Sequence, residues 1–188
     1  MSIPPVIPVL FRKDQMIFNE KTDTPNKPTL LLIDDSWVQI KLILRKIFPD
    51  LVPDASALLK SSWNNNDFLV LENEQWHIIC AAGYLRSLQC AKEFSVDIII
   101  SDHQLGHSFY DGGSLLKRIY DTFQNRPILC MHTSMKDCSP DQLDFFDTLK
   151  SIGANFFIKG EPETLSQILN FLEDFLVKRN ENQILKKS

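Results

Sequence analysis

The sequence predicts an α/β protein with a five-stranded parallel sheet that is covered by helices on both faces. Three observations lead to this fold class. Short apolar runs rich in β-branched residues alternate five times with segments in which apolar residues recur at helical spacing. The short runs are apolar throughout, as in strands that are buried on both faces of a sheet. The connections are mostly short, and strands and helices that alternate in this way form parallel sheets.

The first two strand–helix units lie in the amino-terminal half of the chain. The first strand is Thr29 to Ile33, which reads TLLLI, and Ser36 follows it at the position of a helix N-cap. The helix that comes next has its apolar residues between Val38 and Ile47 and stops before Pro49. The second strand is HIICAA, and the helix after it has apolar residues at positions 85, 88, 91 and 94.

The third, central strand lies in the stretch from Phe94 to Gly113. Its β-branched residues, at 96 and 98–100, form a run that is too short for a helix and ends at Ser101-Asp102. A polar loop follows, and a helix begins after Gly112 and Gly113. Functional groups of open α/β sheets collect at the carboxyl ends of strands, which makes Asp102 a candidate functional residue. The alternative is an aspartate that only caps the turn.

The last two units complete the pattern. Ile128 to His132 is the fourth strand, and Thr133 and Ser134 follow it. The next helix begins at Ser139-Pro140, with proline at the first helical position, and Gly153 ends it. Asn155 to Ile158 is the fifth strand, Lys159 and Gly160 follow it, and the final helix is predicted from Glu163 to Leu176.

The same pattern divides the chain into an arm or linker at 1–28, a main domain at 29–177, and a tail or linker at 178–188. Five of the ten prolines lie in residues 1–28, which excludes a regular helix there. Residues 49–75 interrupt the strand–helix rhythm. We predict that they form an insertion, either a hairpin or a helical segment, and the sequence assigns no function to it.

The composition is that of an ordinary globular domain, with 44% hydrophobic and 23% charged residues. The net charge is −4 and no basic stretch is long, so the sequence does not suggest a nucleic-acid surface. No apolar run approaches the roughly 20 residues of a membrane span. The four cysteines show no CxxC spacing, which predicts reduced thiols and a cytoplasmic location; they are Cys80, Cys90, Cys130 and Cys138.

Polar side chains follow four of the five predicted strands: Asp34 and Asp35, Asp102, Thr133, and Lys159. Because parallel strands end at the same edge of a sheet, we expect these groups to meet in one cleft. Three carboxylates in one place repel each other and favour a divalent cation, and oxygen ligands suit Mg²⁺. A lysine and a hydroxyl at the same point would hold the oxygens of an anion. Such a set can place a phosphoryl group on an aspartate and stabilise its charge.

The chain resembles the receiver domain of bacterial two-component response regulators, the CheY-like family. In order, the segments LLLIDDS, IIISDHQLG with DGGSLLKRI, ILCMHTS and GANFFIKG match the family's acidic pair, phosphoacceptor aspartate with a later DG, threonine or serine, and lysine. The resemblance covers about residues 29–177, apart from the insertion. It implies a flavodoxin-like, doubly wound, three-layer α/β/α fold and a role in phosphorelay signal transduction. It implies no enzymatic activity beyond the domain's own phosphorylation and dephosphorylation.

The resemblance assigns a role to each site residue. Asp102 would be the phosphoacceptor, which takes its phosphoryl group from a sensor histidine kinase or a phosphotransfer protein. Asp35 and Asp102 would bind Mg²⁺ directly, with the backbone carbonyl of Gln104. Asp34 would act through water or as a further ligand. Lys159 would pair with the acceptor carboxylate or with a phosphate oxygen.

The resemblance also implies how the signal would leave the site. Thr133 would hydrogen-bond the phosphate and draw its loop inward. Phe156, three residues before Lys159, is at the family's aromatic switch position, and its rotamer would follow Thr133. The face made by the fourth helix, fifth strand and fifth helix would then change. A downstream protein, a second copy of the chain in a homodimer, or an output domain carboxyl-terminal to this chain would respond to it.

Departures from the family pattern leave alternatives open. Gly160 stands where the family usually has proline after a cis peptide. A cis bond before glycine costs about 2.5–4 kcal/mol, so we expect a trans peptide or a different loop here. With the insertion, this departure could mark a pseudo-receiver that binds partners without being phosphorylated. A hydrolase of the haloacid-dehalogenase kind fits less well, because that class has a DxD motif and the acids here are adjacent. His103 and His107, after the acceptor, are predicted to be solvated loop residues rather than metal ligands.

Overall fold

The computed structural model describes residues 9–11, 27–51, 68–105, 111–134 and 140–185. Within these ranges, strands form one sheet between two layers of helices. The strands are β1 (Val9–Phe11), β2 (Thr29–Ile33), β3 (Phe68–Glu72), β4 (His77–Ala81), β5 (Ile98–Asp102), β6 (Ile128–Thr133) and β7 (Asn155–Ile158). The helices are α1 (Trp37–Ile47), α2 (Tyr84–Glu93), α3 (Gly112–Thr122), α4 (Pro140–Ser151) and α5 (Thr164–Leu185), with a 3₁₀ turn at Pro49–Leu51.

The five predicted parallel strands lie side by side in the order β4-β2-β5-β6-β7, and all four pairings between them are parallel. This order confirms the predicted flavodoxin-like, doubly wound sheet. The two central strands, β2 and β5, are buried along their whole length. Their continuous apolar runs are therefore explained by helices on both faces, and the run in β5 carries Asp102 to the edge of the sheet.

In the described ranges the sheet has two further strands beside the five predicted parallel ones. β3 pairs with β4 and β1 pairs with β3, both in antiparallel fashion. β3 belongs to the predicted insertion at 49–75, and it forms the hairpin that was one of the two alternatives there. The side-chain Oδ1 of Asn73 accepts hydrogen bonds from the backbone N–H groups of Gln75 (3.0 Å) and Trp76 (2.8 Å), which closes the turn of this hairpin.

Two apolar clusters separate the helices from the sheet. On one face, α1 and α5 bury residues that include Ile40, Leu44 and Leu172. On the other face, α2, α3 and α4 bury residues that include Leu116 and Phe146. This division confirms the three-layer α/β/α architecture. None of the helices in the described ranges is long and apolar enough to cross a bilayer.

Helix α5 continues to Leu185, beyond its predicted end at Leu176 and into the predicted tail at 178–188. An ion pair holds the extension on the domain: Arg179 Nη1 lies 2.6 Å from Asp97 Oδ1. The other oxygen of Asp97 accepts a hydrogen bond of 2.8 Å from the backbone N–H of Thr29. The extension is thus bonded to the beginning of the central sheet. The predicted limits of the domain and the arm stay predictions.

Three of the cysteines, Cys80, Cys90 and Cys130, are buried free thiols, as the composition predicts. Burial raises the pKa of Cys90 and of Cys130 to about 12, so both are protonated and unreactive at neutral pH. Cys138 lies outside the described residues.

Candidate functional site

The predicted polar residues meet at the carboxyl edge of the parallel strands. Asp34 and Asp35 follow β2, Asp102 is the last residue of β5, Thr133 is the last residue of β6, and Lys159 follows β7. The register of the sheet accounts for this arrangement, because Ile33 is paired with Ser101, Asp102 with His132, and Thr133 with Ile158. Residues that are far apart along the chain therefore end within one cleft.

The three carboxylates can contact a single ion. Asp34, Asp35 and Asp102 each offer one oxygen, and these oxygens all lie within 4.8 Å of one another. Asp34 and Asp102 are buried, whereas Asp35 is exposed. Oδ1 of Asp34 accepts a hydrogen bond of 2.8 Å from the backbone N–H of Ser36 at the start of α1. Ser36 is the N-cap residue, as predicted, but its own hydroxyl makes no capping hydrogen bond.

Burial makes the ionised forms of Asp34 and Asp102, the two inner carboxyl groups of the cleft, energetically unfavourable. Burial raises the pKa of Asp34 from 3.8 to about 6, and the negative charge of Asp102 adds to the rise. The charge of Lys159 and the hydrogen bond from the N–H of Ser36 lower the pKa of Asp34 and offset part of this rise. The pKa of Asp102 is likewise raised, first by burial, and lowered in part by Lys159 and by the N–H of Gln104. A bound cation would favour the charged form of both groups.

Lys159 joins the two inner acids. Its Nζ lies 2.8 Å from Oδ1 of Asp102 and 3.3 Å from Oδ2 of Asp34. Its own backbone N–H donates a hydrogen bond of 2.7 Å to the carbonyl of Thr133, so the lysine is fixed to the end of β6. The ammonium group therefore offsets part of the negative charge and faces the same point as the carboxylates.

Short-range hydrogen bonds shape the loop after Asp102. The backbone N–H of Gln104 donates to the Asp102 carboxylate, and the hydroxyl of Ser101 donates to the Asp102 carbonyl at 2.9 Å. The N–H of Gly112 donates to the carbonyl of His103 at 2.7 Å. A Cβ at Gly112 would overlap the carbonyl oxygen of Asp102, so only glycine fits there.

The close approach at Gly112 also fixes where α3 begins. Asp111 is the N-cap of α3, and its side chain accepts a hydrogen bond of 2.6 Å from the N–H of Ser114. The predicted helix start after Gly112-Gly113 is therefore correct to within two residues, and the DG pair holds the helix against the end of β5.

Thr133 is buried, with 1% of its surface exposed. Among the residues that the structure describes, its Oγ1 has no hydrogen-bond partner. A buried hydroxyl without a partner costs free energy, so such groups are rare and often belong to functional sites. An anion oxygen in the cleft would supply the missing partner.

The Lys159–Gly160 peptide is trans, as expected in the absence of proline. Gly160 has a φ of +84°, which lies in the left-handed region. Proline is restricted to a φ near −65°, so this loop differs in backbone conformation from one that contains proline at the same position. Lys159 nevertheless reaches both inner carboxylates.

His103 is buried, with 5% of its surface exposed, so the prediction that it is a solvated loop residue is wrong. Its ring centroid lies 5.1 Å from that of Phe146 in α4. Phe146 in turn contacts Phe156 of β7, with centroids 5.6 Å apart and planes at 86°. The predicted switch residue thus packs against a helix residue that also contacts the neighbour of Asp102. His107 lies outside the described residues.

His132 is a site residue that the sequence reasoning did not single out. It is buried beside the cleft, and burial together with the charge of Lys159 lowers its pKa to about 4. The imidazole is therefore neutral at physiological pH and adds no charge to the site. The available signal was a histidine within the otherwise apolar strand ILCMHT.

The donor set fits a hard divalent cation such as Mg²⁺. Three carboxylates within reach of one point, with neither cysteine nor histidine among them, are oxygen ligands of the kind that Mg²⁺ prefers. One of them, Asp35, is exposed, which leaves room for the waters that Mg²⁺ retains. The arrangement combines three carboxylates that could hold a cation, an ammonium group and a buried hydroxyl.

No protein-family model and no curated protein sequence matches the chain. Solved structures do. A signal receiver domain of an HD domain-containing protein from Pseudomonas fluorescens Pf-5 is 18% identical, with 83% of this chain and 99% of that chain covered and a TM-score of 0.54. The receiver domain of the Francisella response regulator 1452 is also 18% identical, with 82% and 99% covered and a TM-score of 0.53.

A response regulator receiver domain protein from Clostridium thermocellum is 16% identical, with 84% of this chain and 98% of that chain covered and a TM-score of 0.54. These neighbours confirm that the chain has the CheY-like receiver fold found in two-component response regulators. At such low identity the likeness establishes the fold, and what the site does must be inferred from its residues.

Proposed function

We propose that the chain is a receiver domain of phosphorelay signal transduction, which accepts a phosphoryl group on Asp102 in the presence of Mg²⁺. The donor would be a phosphohistidine on a sensor histidine kinase or on a phosphotransfer protein. The chain would act in the cytoplasm as a signalling domain, and its chemistry would be limited to its own phosphorylation and dephosphorylation.

One observation carries this proposal. Lys159 Nζ contacts Asp102 at 2.8 Å and Asp34 at 3.3 Å, and the oxygens of Asp34, Asp35 and Asp102 lie within 4.8 Å of one another. A purely structural ion pair would not need a third acid beside the two that Lys159 contacts, and burial raises the pKa of both of those. Costly charges that are gathered in one cleft are typical of functional sites.

The reaction needs little from the protein besides position and charge. A carboxylate oxygen of Asp102 attacks the phosphorus, and an O–P bond forms as the P–N bond to the donor imidazole breaks. The electron pair leaves with the imidazole nitrogen, which can take a proton from water. Lys159 stabilises the charge on the phosphoryl oxygens, and the N–H of Gln104 holds the attacking carboxylate in place.

A bound Mg²⁺ would supply the charge that lets the acids and the phosphoryl group approach each other. Asp35, Asp102 and the backbone carbonyl of Gln104 would be its ligands. Asp34 would act through water or as a further ligand, and its bonds to Lys159 and Ser36 favour the indirect role.

Thr133 and Phe156 would carry the state of Asp102 to the surface. The buried hydroxyl of Thr133 would donate its hydrogen bond to a phosphoryl oxygen, and Phe156 would change its position in response. The surface formed by α4, β7 and α5 would then bind a downstream protein or a second copy of the chain, or act on an output domain outside this segment.

Acetyl phosphate with MgCl₂ tests the proposal on the full chain. We expect the intact mass to rise by one phosphoryl group and the adduct to be released by hydroxylamine, as an acyl phosphate should be. The adduct should be absent in Asp102→Asn and in wild type with EDTA. Asp121→Asn is the matched control, because Asp121 is an exposed acid paired with Lys117 on α3 and should leave the adduct unchanged.

The other functions give different results. A pseudo-receiver, which Gly160 and the β3 hairpin would suit, would form no adduct with acetyl phosphate or with a phosphorylated histidine donor. A hydrolase of the haloacid-dehalogenase kind would release phosphate continuously from phosphorylated metabolites. Either result would refute the proposed receiver chemistry at Asp102.

A further inference from the structure

Three aromatic rings lead from the acceptor loop to the surface of the domain. His103 follows Asp102 directly, Phe146 lies on α4 and Phe156 lies on β7, so three separate elements each contribute one ring. The centroids are 5.1 Å apart between His103 and Phe146 and 5.6 Å apart between Phe146 and Phe156. Both distances are within the range in which aromatic rings attract each other. We call this set the aromatic relay.

The inner end of the relay is tied to the acceptor by its backbone. The residue before His103 carries the acceptor carboxylate, and the residue after it, Gln104, donates its N–H to that carboxylate. The carbonyl of His103 accepts a hydrogen bond of 2.7 Å from Gly112. When the carboxylate becomes an acyl phosphate, the bond from Gln104 has to change. His103 lies between the two residues that make that bond.

The middle of the relay is a buried ring. Phe146 has 1% of its surface exposed and lies in the cluster under α2, α3 and α4. Close-packed side chains transmit strain. A shift of the His103 ring would therefore displace Phe146, which it contacts, and Phe146 would displace Phe156.

The outer end of the relay is accessible. Phe156 is half-buried, and Nζ of Lys150 lies 5.9 Å from its ring centroid. Lys150 is itself more than half exposed and pairs with Asp147 on the same helix. A partner on this surface would therefore meet an aromatic ring and a cation whose positions depend on the relay.

We propose that His103, Phe146 and Phe156 transmit the state of Asp102 to the surface around Phe156, by a route through α4 that does not require Thr133. His103 is a positioning residue in this scheme, since it acts on Phe156 through another side chain. The inference rests on the proposed phosphorylation of Asp102.

Fluorine NMR of the full chain, labelled with 4-fluorophenylalanine, tests the relay. Phe156→Leu identifies the Phe156 signal. Beryllofluoride with Mg²⁺, a mimic of the aspartyl phosphate, should move that signal in wild type. In His103→Leu the movement should fall at least about twofold, the size of effect expected when one coupled residue is removed. His103→Tyr keeps a ring without adding a fluorine and should restore the movement.

Phe171→Leu is the matched control. Phe171 makes a T-shaped contact with Phe157 at 5.7 Å, on the opposite face of the sheet, so its loss removes an aromatic pair outside the relay. It should leave the response of Phe156 unchanged. An equal reduction in Phe171→Leu and His103→Leu would mean that general loosening of the core accounts for the effect, and would overturn the relay.

The same spectra separate failure of the relay from failure of the proposed function. Bound beryllofluoride has fluorine signals of its own. If these appear and Phe156 responds fully in His103→Leu, the relay is wrong and the acceptor chemistry stands. If wild type shows no bound beryllofluoride, the proposed function fails and the relay fails with it.

Discussion

Replacing Asp34 by asparagine should stabilise the metal-free protein at neutral pH. The amide side chain would keep an oxygen in the place of Oδ1, which accepts the N–H of Ser36 at 2.8 Å. Lys159 would lose one contact, at 3.3 Å, and keep the shorter one with Asp102 at 2.8 Å. The substitution therefore removes one of the clustered negative charges and the ion pair of that charge with Lys159.

The size of the effect follows from the pKa of Asp34. Burial and the charge of Asp102 raise this pKa from 3.8 to about 6. At about 1.4 kcal/mol per pKa unit, this rise destabilises the ionised folded protein by about 3 kcal/mol. This net rise already includes the favourable interaction with Lys159, but an amide N–H facing the Lys159 ammonium would offset part of the gain, so we expect Asp34→Asn to raise the free energy of unfolding by about 1–3 kcal/mol at pH 7.5.

The sign of the pH dependence is opposite to that of an ordinary paired aspartate. Because the pKa is higher in the folded than in the unfolded state, the folded wild type binds the extra proton between about pH 6 and 3.8. The stability that this group contributes is complete below 3.8 and is lost as the pH rises through about 6. The advantage of Asp34→Asn should therefore be largest above pH 7 and should vanish near pH 4.

Urea unfolding in EDTA at several pH values measures the difference. In thermal melts, 1 kcal/mol corresponds to about 2–4 °C for a chain of this size. Asp147→Asn is a suitable control, since Asp147 is an exposed acid whose pair with Lys150 should contribute less than about 1 kcal/mol at any pH. A loss of stability in Asp34→Asn at pH 7.5, or a gain that is independent of pH, would refute the electrostatic account of the site.

Three further substitutions test the parts around the site by urea unfolding. Gly112→Ala should lower stability by about 1–3 kcal/mol, because its Cβ would overlap the carbonyl of Asp102, and wild-type stability would contradict the close approach. Asn73→Ala should cost about 1–2 kcal/mol through two lost hydrogen bonds in the β3–β4 turn, and no loss would mean that the turn does not need them. Thr133→Val should leave stability unchanged or raise it by up to about 1 kcal/mol, because the buried hydroxyl has no partner in the described ranges. The same substitution should weaken beryllofluoride binding, and a large destabilisation would indicate a structural role for the hydroxyl.

The five parallel strands were predictable because their signal is local. A run such as TLLLI is buried on both faces, and the change to polar or charged residues after it marks the end of the strand in the sequence. Once these strand ends are placed on one edge, the proximity of Asp34, Asp102 and Lys159 follows from topology alone. This part of the site therefore required no information about side-chain packing.

The antiparallel strands were harder because their existence depends on a neighbour. β1 has three residues and forms only because the edge of β3 is available to it. For β3 the sequence leaves two alternatives, because residues 49–75, which include FLVLE, could form a hairpin or a helical segment. Asn73 was the missed signal: its side chain closes a turn between two apolar runs, which favours the hairpin.

The contacts that bury the two histidines could not be predicted, because they depend on elements far away in the sequence. His103 follows an acidic residue and precedes a polar loop, which favours exposure, yet Phe146 of α4 covers it. His132 is the next-to-last residue of β6, whose neighbours bring Lys159 close to it. Both positions are fixed by β6, β7 and α4, and no local pattern around either histidine records those contacts.

The loop after β7 brings Lys159 to the carboxylates with a backbone conformation that differs from that of a loop with proline after the lysine. Proline in a cis peptide would fix the direction of a preceding lysine by restricting the chain. Here Gly160 has a φ of +84°, so the restriction has to come from hydrogen bonds on either side. The N–H of Lys159 donates to the carbonyl of Thr133, and the hydroxyl of Thr164, at the start of α5, donates to the carbonyl of Ile158. Because these two bonds fix the peptide group between Ile158 and Lys159, one to β6 and one to α5, Lys159 reaches Asp34 and Asp102 without proline. The absence of proline is therefore not by itself a reason to deny the site its chemistry.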